Sequence, residues 1–339
     1  MIIDAIKKAV DHLPLAEDEM TAAMNEIMEG ACTDAQIACF LTALRLKGET
    51  AEEITAAARV MRRKALSVPV TNRAGLVDIV GTGGDGANTF NISTAAAFVA
   101  CGAGLRVAKH GNRSVSSRCG SADVMEKLGV SIELSPESVG RCIDEIGMGF
   151  LFAPKFHLAM KYAAPVRREI GIRTIFNMLG PLTNPADADI QLIGVYDVKL
   201  TAVFAGVLER LGRKRALIVH GMDGLDELSL SAETEVYDLN PSGIVSYRVQ
   251  PEDAGLCRAP LDAVRGGDGK ENAAIIVDIF KGRPGPYRDL VLLNAGAAIM
   301  AGGRADTLRE GAAIAAEAID SGGALRKLAD LKEFTRSLD

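Results

Sequence analysis

Over residues 1–66 the apolar positions recur at intervals of three and four. Ile37, Leu41 and Leu44 form one such series and Ile54, Ala58 and Met61 the next. That spacing places each series on one face of a helix. Met1 to Leu13 behaves alike, with Asp4, Lys7, Lys8 and Asp11 among its apolar residues; it reads as an amphipathic helix and not as a secretory leader. The start and stop signals agree. Thr33-x-x-Gln36 and Thr50-x-x-Glu53 have the form in which two side chains cap a first turn reciprocally, and Gly30 and Gly48 fall where helices end. Pro69 breaks the pattern.

From residue 75 the rhythm changes. Val77 to Val80 is a short buried-type strand, followed by a helix from about Ser93 to Cys101, a strand at Leu105 to Ala108 and a helix at Ala122 to Leu128. A helix at Pro136 to Ile146, capped by Ser135, leads to a third strand at Gly149 to Ala153. Further strands are expected at Ile190 to Tyr196, Ala216 to His220, Glu235 to Leu239 and Ile244 to Val249, with the last hundred residues mainly helical. Alternation of this kind argues for an α/β fold with a mainly parallel central sheet flanked by helices. Residues 155–180 again read as helical and end in the rigid run Gly180-Pro181-Leu182-Thr183-Asn184-Pro185. This excursion is expected to rejoin the opening helices. The resulting division is a small helical domain, 1–70 completed by about 160–185, and a larger α/β domain, 71–159 and 186–339.

Length supports two units, since 339 residues exceed one core of ordinary size. A net charge of −6, 4% aromatic residues and no Trp count against a nucleic-acid surface. None of the six cysteines sits in a C-x-x-C pair, so zinc and dithiol chemistry are not signalled; they read as free thiols of a reducing compartment. No apolar run approaches the roughly 20 residues of a membrane span. A soluble, cytoplasmic protein is expected.

The first strand ends in Gly81-Thr82-Gly83-Gly84-Asp85-Gly86. Taken alone, Gly81, Gly83 and Gly86 satisfy the dinucleotide pattern G-x-G-x-x-G. The context opposes it. Ala87 to Asn91 separate the loop from its helix, and the second strand runs into Lys109-His110-Gly111-Asn112-Arg113 where an acidic residue is wanted. Those cations would suit a 2′-phosphate, so an NADP enzyme stays open. In any case glycines let N–H groups approach an anion, and Asn91-Ile92-Ser93-Thr94 opens a helix whose first N–H groups attract phosphate. Asp85 suits a sugar hydroxyl, a metal or the loop's own N–H groups. The plainer reading is a tight turn with Ser93 as N-cap.

Lys109, His110, Arg113 and Arg118 form a cation cluster at the end of a strand, the place where open α/β sheets bind ligands. Ser114, Ser116, Ser117, Gly120 and Ser121 add donors, and Asp123 is placed to cap the next helix. A solvated basic loop is the alternative. Asp226-Glu227 is a pair of adjacent carboxylates, tolerated beside a divalent cation or at a helix N-terminus; on these residues alone both readings hold.

The runs GTGGD, NIST and KHGNRSVSSRCGSADVMEKLG, followed by FAPKFHLAM, APVRREIGIRTIFNMLGPLTNP and GMDGLDELS, resemble the anthranilate phosphoribosyltransferase family over about residues 78–235. The resemblance implies transfer of phosphoribosyl from 5-phosphoribosyl pyrophosphate to anthranilate, with Mg2+ as cofactor. It implies that Gly81, Gly83, Gly84 and Asp85 hold pyrophosphate and ribose, and that Thr89, Asn91, Ser93 and Thr94 bind phosphate. Lys109 would neutralise phosphate charge and Ser121 would close that site. His110, Gly111, Asn112, His157 and Arg167 would line the anthranilate path, with Lys109, Asn112 and Arg167 positioning the reactants. Ser93, Asp226 and Glu227 would hold the metal. Phe156 and Leu158 depart from the histidine and proline expected there, which bears on the shape of the anthranilate channel. The resemblance further implies a homodimer through the helical domain. Two rivals remain: a pyrimidine nucleoside phosphorylase-like enzyme, and a nucleic-acid-binding homologue without transferase activity.

Overall fold

The computed structural model describes residues 1–114 and 118–338. Ser116 and Ser117 of the basic loop lie outside the described residues. Four helices open the chain: α1 (Ile2–Val10), α2 (Glu17–Met28), α3 (Asp34–Lys47) and α4 (Ala51–Lys64). Both expected capping boxes form. Thr33 Oγ1 accepts from the Gln36 N–H at 3.3 Å while Gln36 Oε1 accepts from the Thr33 N–H at 2.9 Å. In the second box Glu53 does more than cap. Its fully buried carboxylate accepts from the N–H groups of Thr50 and Leu15, both at 2.8 Å, and from Lys47 Nζ at 2.8 Å. One carboxylate therefore ties the α1–α2 connection to the α3–α4 corner.

The α/β part begins with β1 (Leu76–Gly81), α5 (Ile92–Gly102), β2 (Arg106–Gly111), α6 (Ser121–Leu128), α7 (Pro136–Arg141) and β3 (Met148–Phe152). The expected Pro136–Ile146 helix finishes as a π-helical turn, Cys142–Ile146. The excursion at 155–180 is not one helix. It is broken into α8 (Ala153–Phe156), a 3₁₀ turn, α9 (Ala164–Ile170) and α10 (Ile175–Leu179), with Pro154 and Pro165 at helix starts and Gly171 left-handed at a helix end. Next come β4 (Ile190–Gly194), α11 (Lys199–Arg210), β5 (Arg215–Gly221) and the hairpin β6 (Thr234–Asn240) and β7 (Gly243–Val249). Four helices close the chain: α12 (Gly269–Phe280), α13 (Pro286–Ala301), α14 (Leu308–Asp320) and α15 (Gly323–Ser337).

The sheet runs β3-β2-β1-β4-β5-β6-β7. The first five strands are parallel and the hairpin adds two antiparallel ones. Strand alternation sends neighbouring residues to opposite faces, and the two faces belong to two cores. Leu192, Leu217 and Val219 join the core built with α5 and α13, whereas Ile193, Ala216 and Ile218 join the core of the opening helices. The helical residues thus do not close an isolated core. Through α11, α4, α9 and α10 their interior is continuous with one face of the sheet.

β2 extends three residues beyond its expected end, which makes Lys109 and His110 strand residues pointing to opposite faces and not members of a loop.

Glu53→Ala should lower stability by about 3–5 kcal/mol, because it leaves the buried Lys47 ammonium without its counter-charge. Urea unfolding would show this; a loss below about 1 kcal/mol would contradict the buried tie.

Candidate functional site

β1 pairs with β2 on one side and with β4 on the other, so the chain leaves β1 in both directions. At such a reversal the connections diverge and open a crevice at the carboxyl ends of the strands. The two strand ends there are bare backbone. Gly81 and Gly194 face each other in register. A Cβ on Gly81 would lie 2.6 Å from Asp226 Oδ2, and one on Gly194 would overlap the Asp226 carbonyl oxygen. These two glycines let the β5–β6 loop lie across both strand ends. Asp226-Glu227 is carried by that loop and not by a helix start, which removes the helix-dipole reading of the acidic pair.

The glycine loop closes over the pair. The Gly83 N–H donates to Asp226 Oδ2 at 2.7 Å. Gly83, Gly84 and Gly86 have φ of 69°, 80° and 76°, the left-handed region that only glycine enters at little cost. Asp85 turns back on its own loop, accepting from the Ala87 N–H at 3.1 Å, and its charge bears on Asp226. Thr89 is held by a backbone bridge to Arg265.

α5 begins one residue earlier than expected. Asn91 is its N-cap, which overturns Ser93 as the capping residue, and the Asn91 side chain does not cap the first turn. The Asn91 amide is instead engaged sideways: Nδ2 donates to the Cys119 carbonyl at 3.2 Å and Oδ1 accepts from Asn272 Nδ2 at 2.9 Å. The Ile92 N–H is taken by the Phe90 carbonyl at 2.8 Å, which leaves the next N–H groups of the first turn to the acidic loop or to an anion. The backbone N–H and hydroxyl of Ser93 both stabilise the Glu227 carboxylate. Thr94 is fully buried and its hydroxyl has no partner among the described residues.

Burial starves these acids of solvation. Asp226 and Glu227 are 9% and 7% exposed. Desolvation, and then the Asp85 charge, raise the Asp226 carboxyl well above its usual range. Glu227 is pushed up to about 8, chiefly by desolvation, although Lys109 pulls it back. Lys109 is itself buried, and loss of water lowers its pKa against the pull of Asp78 and the acidic pair. Its ammonium donates to the Ile79 carbonyl at 2.7 Å. The expected phosphate cation is therefore first a counter-charge beneath the crevice, and its partner is not recognisable from the chain alone. That partner, Asp78, is fully buried, raised to about 6 by desolvation, and accepts from the His110 N–H at 3.2 Å.

On the other face of β2, His110 meets His157, with ring centroids 5.2 Å apart. Burial lowers them to about 3 and about 4, so both are neutral near pH 7. His110 Nδ1 lies 3.2 Å from the Gly180 carbonyl, which can only accept; Nδ1 therefore carries the proton and Nε2 presents a lone pair. The Nε2 atoms of both rings are buried without a partner among the described residues. Unpaired buried polar atoms are costly, and a ligand would satisfy them. Phe156, beside them in sequence, is packed in the core and Leu158 is 54% exposed.

The basic cluster separates into unlike parts. Arg113 is bound to Asp123 and Glu126 of α6 and lies over the Phe152 ring, so the plain structural reading holds for it. Arg118 is exposed. Gly111 has the close approach its position suggested, since a Cβ there would overlap Ser121 Oγ. The same hydroxyl accepts from the Asn112 N–H at 3.2 Å and lies 3.3 Å from the Asn112 carbonyl, which joins Asn112 to the start of α6. Arg167, on α9, stacks on the Phe176 ring at 5.2 Å with no carboxylate partner among the described residues. Arg173, between α9 and α10, was not singled out by the sequence. Its guanidinium donates to the Gly84 carbonyl and lies 4.1 Å from the Tyr196 ring centroid, bridging the helical excursion to the glycine loop.

Among the described residues no three His, Cys, Asp or Glu side chains gather to hold a metal by themselves. Nor is any described helix long and apolar enough to cross a membrane.

A helical bundle joined to an α/β domain with a reversal in its parallel sheet is the arrangement of a class of glycosyl transferases. Residues 73–325 match the glycosyl transferase family α/β domain and residues 3–65 its helical bundle domain. At finer grain the chain belongs to the anthranilate phosphoribosyltransferase family. It is 56% identical to the anthranilate phosphoribosyltransferase of Symbiobacterium thermophilum, over 98% of this chain and 97% of that one. The crystal structure of the Thermus thermophilus enzyme superposes with a TM-score of 0.93 at 49% identity, covering 98% of this chain and 99% of the other. The Saccharomyces cerevisiae enzyme in complex with PRPP and Mg superposes at 0.92 with 31% identity, covering 99% and 98%; the same yeast enzyme has also been solved with 4-fluoroanthranilate.

A carboxyl raised on folding contributes stability that is present below its unfolded value and lost as pH rises through the folded value. For Glu227 that interval runs from 4.5 to about 8. In EDTA, Glu227→Gln should therefore gain stability relative to wild type between pH 5 and 8.5, by at most about 1.4 kcal/mol per pH unit. Parallel pH–stability curves would refute the buried charge.

Proposed function

We propose that this chain transfers the phosphoribosyl group of 5-phosphoribosyl pyrophosphate to the amino group of anthranilate, releasing pyrophosphate, in tryptophan biosynthesis. The observation that carries the reading is the pairing of a glycine loop, and a helix start that its own N-cap side chain does not cap, with two buried, under-solvated carboxylates across one crevice. The carboxylates lack positive charge and the cradle lacks negative charge. A magnesium-bound pyrophosphate supplies both.

The donor set fits magnesium. Asp226, Glu227 and Ser93 offer oxygen only, and two carboxylates plus substrate phosphates and water suit an ion that keeps part of its hydration shell. These residues would hold it, and when bound it offsets charge on the departing pyrophosphate. The rest belongs to the chain. The N–H groups of Gly84 and of Thr94 in the first turn of α5 would face the phosphates, where donors fixed in advance cost no reorganisation as charge develops. Thr89, Asn91 and Thr94 line the same cradle, with Asn91 held in place by Asn272. Lys109 contributes its field from beneath. Asp85 meets the ribose hydroxyls.

Arg167 grips the anthranilate carboxylate, for which a guanidinium offers two parallel hydrogen bonds. His110 and His157, neutral, orient the ring and amine; at a pKa of about 3, His110 is too weak a base to remove a proton in the ground state. The aryl amine is already neutral, so positioning by these groups and Asn112 suffices. Gly111 and Ser121 hold Asn112 where it is needed. The helical unit is read as discontinuous, 1–70 with about 160–185. Ile3, Val10, Leu13 and Leu46, between 52% and 74% exposed, offer it an apolar surface for a homodimer. The acidic chain is assigned no nucleic-acid partner, and a cytoplasmic location follows from a substrate and thiols of the cell interior.

The direct test is loss of anthranilate fluorescence with protein, magnesium and 5-phosphoribosyl pyrophosphate; the absence of Trp keeps the background low. Phosphorolysis of a pyrimidine nucleoside without this decay would favour the phosphorylase reading. Asp226→Asn combined with Glu227→Gln should raise the magnesium needed for half-maximal rate at least tenfold and slow turnover; unchanged metal dependence would refute the metal assignment. Arg167→Ala should raise KM for anthranilate at least tenfold with little change in KM for the phosphoribosyl donor. Arg173→Ala should do the reverse, since it loosens the glycine loop; equal effects on both substrates would contradict both roles.

A further inference from the structure

A second cavity lies away from the crevice, beneath the antiparallel end of the sheet. It measures about 200 Å³ and is lined by Leu228, Val219, Val236, Ala297, Met300 and Tyr247 among other apolar residues. Val219, Leu228, Val236 and Ala297 are buried, whereas Met300 and Tyr247 are half-buried and stand where it nears the surface. Protein interiors pack with few voids larger than a water molecule, so a space of this size is unusual. Its walls offer almost no polar group, and water needs two to four polar partners to occupy a cavity. An apolar cavity of about 150 Å³ engineered in another protein stays dry and takes up benzene.

One wall of the cavity is also part of the acidic loop. Leu228 follows Glu227 directly. Its N–H donates to Asn294 Oδ1 at 2.9 Å and its carbonyl accepts from Asn294 Nδ2 at 3.0 Å. Asn294 is fully buried on α13, one turn before Ala297 of the cavity wall. The acidic loop and the cavity therefore share a side chain and a supporting helix.

We propose that this cavity is a binding site for a small uncharged apolar molecule, the size of one aromatic ring with a short alkyl group, whose occupancy acts on the acidic loop through Leu228. Anions are excluded, because an unpaired charge is not tolerated among such walls; neither anthranilate nor a phosphorylated sugar can be its ligand. The cavity itself is independent of the reading of the substrate crevice; its link to the acidic loop rests on Asp226 and Glu227 as the magnesium site.

Toluene is the probe. In protein labelled at its methionine methyl groups with carbon-13, Met300 is identified by its loss in Met300→Leu. Titration should shift the Met300 methyl resonance saturably, and the shift should vanish in Ala297→Leu, which fills the cavity. Should that variant fail to fold, Val236→Leu fills the same space from the sheet side. No saturable shift, or one that survives filling, overturns the site. In the parent protein, saturating toluene should change the magnesium concentration for half-maximal protection against urea at least twofold, and should not do so in the filled variant. A saturable shift with unchanged magnesium dependence overturns the link through Leu228.

Discussion

The arrangement of the crevice depends on one close approach. The Asp226 backbone lies against Gly194 at the end of β4, in space that a single Cβ would occupy. Because Gly81 is in register beside it, the acidic loop crosses both central strands and its carboxylates reach the start of α5. A side chain at either position would lift the loop and separate the acids from the cradle. Reversal of strand order supplies the crevice, but the missing side chains decide what enters it from the protein itself.

That approach creates an electrostatic debt which the protein does not settle alone. Asp226, Glu227 and Asp85 crowd together with one buried cation, Lys109, beneath them, and Lys109 is shared with Asp78. An apolar replacement of such a buried network often stabilises a fold. Retaining it unbalanced, next to the start of α5, makes sense when a divalent ion and an anion arrive together. The raised carboxyls and a helix start that its own N-cap side chain does not cap are two sides of the same incompleteness.

Much of this was legible in the chain. Helical periodicity and two capping boxes located the opening helices, and alternation located all seven strands. What escaped were features that depend on register. Gly194 looks like any glycine at a strand end until β1 is laid beside β4. Asp78 is one polar residue in an apolar run, and nothing local reveals that it underlies Lys109. The polar residues Lys109 and His110 hide the last three residues of β2 in the pattern, because it is contacts from distant segments that bury them. Arg113 reads as part of the basic cluster because its partners, Asp123 and Glu126, are recognisable only once α6 is folded back beside it.

Arg173 escaped for a related reason, and it bears on how the two parts of the molecule move. Apart from the shared core, it ties the helical excursion to the glycine loop through a carbonyl bond and a stacked ring. The Gly84 peptide whose carbonyl it holds neighbours the N–H groups assigned to phosphate, so phosphate binding and the seating of Arg173 compete or cooperate through one loop of left-handed glycines. Since the helical interior is continuous with one face of the sheet, that face resists large rigid-body separation.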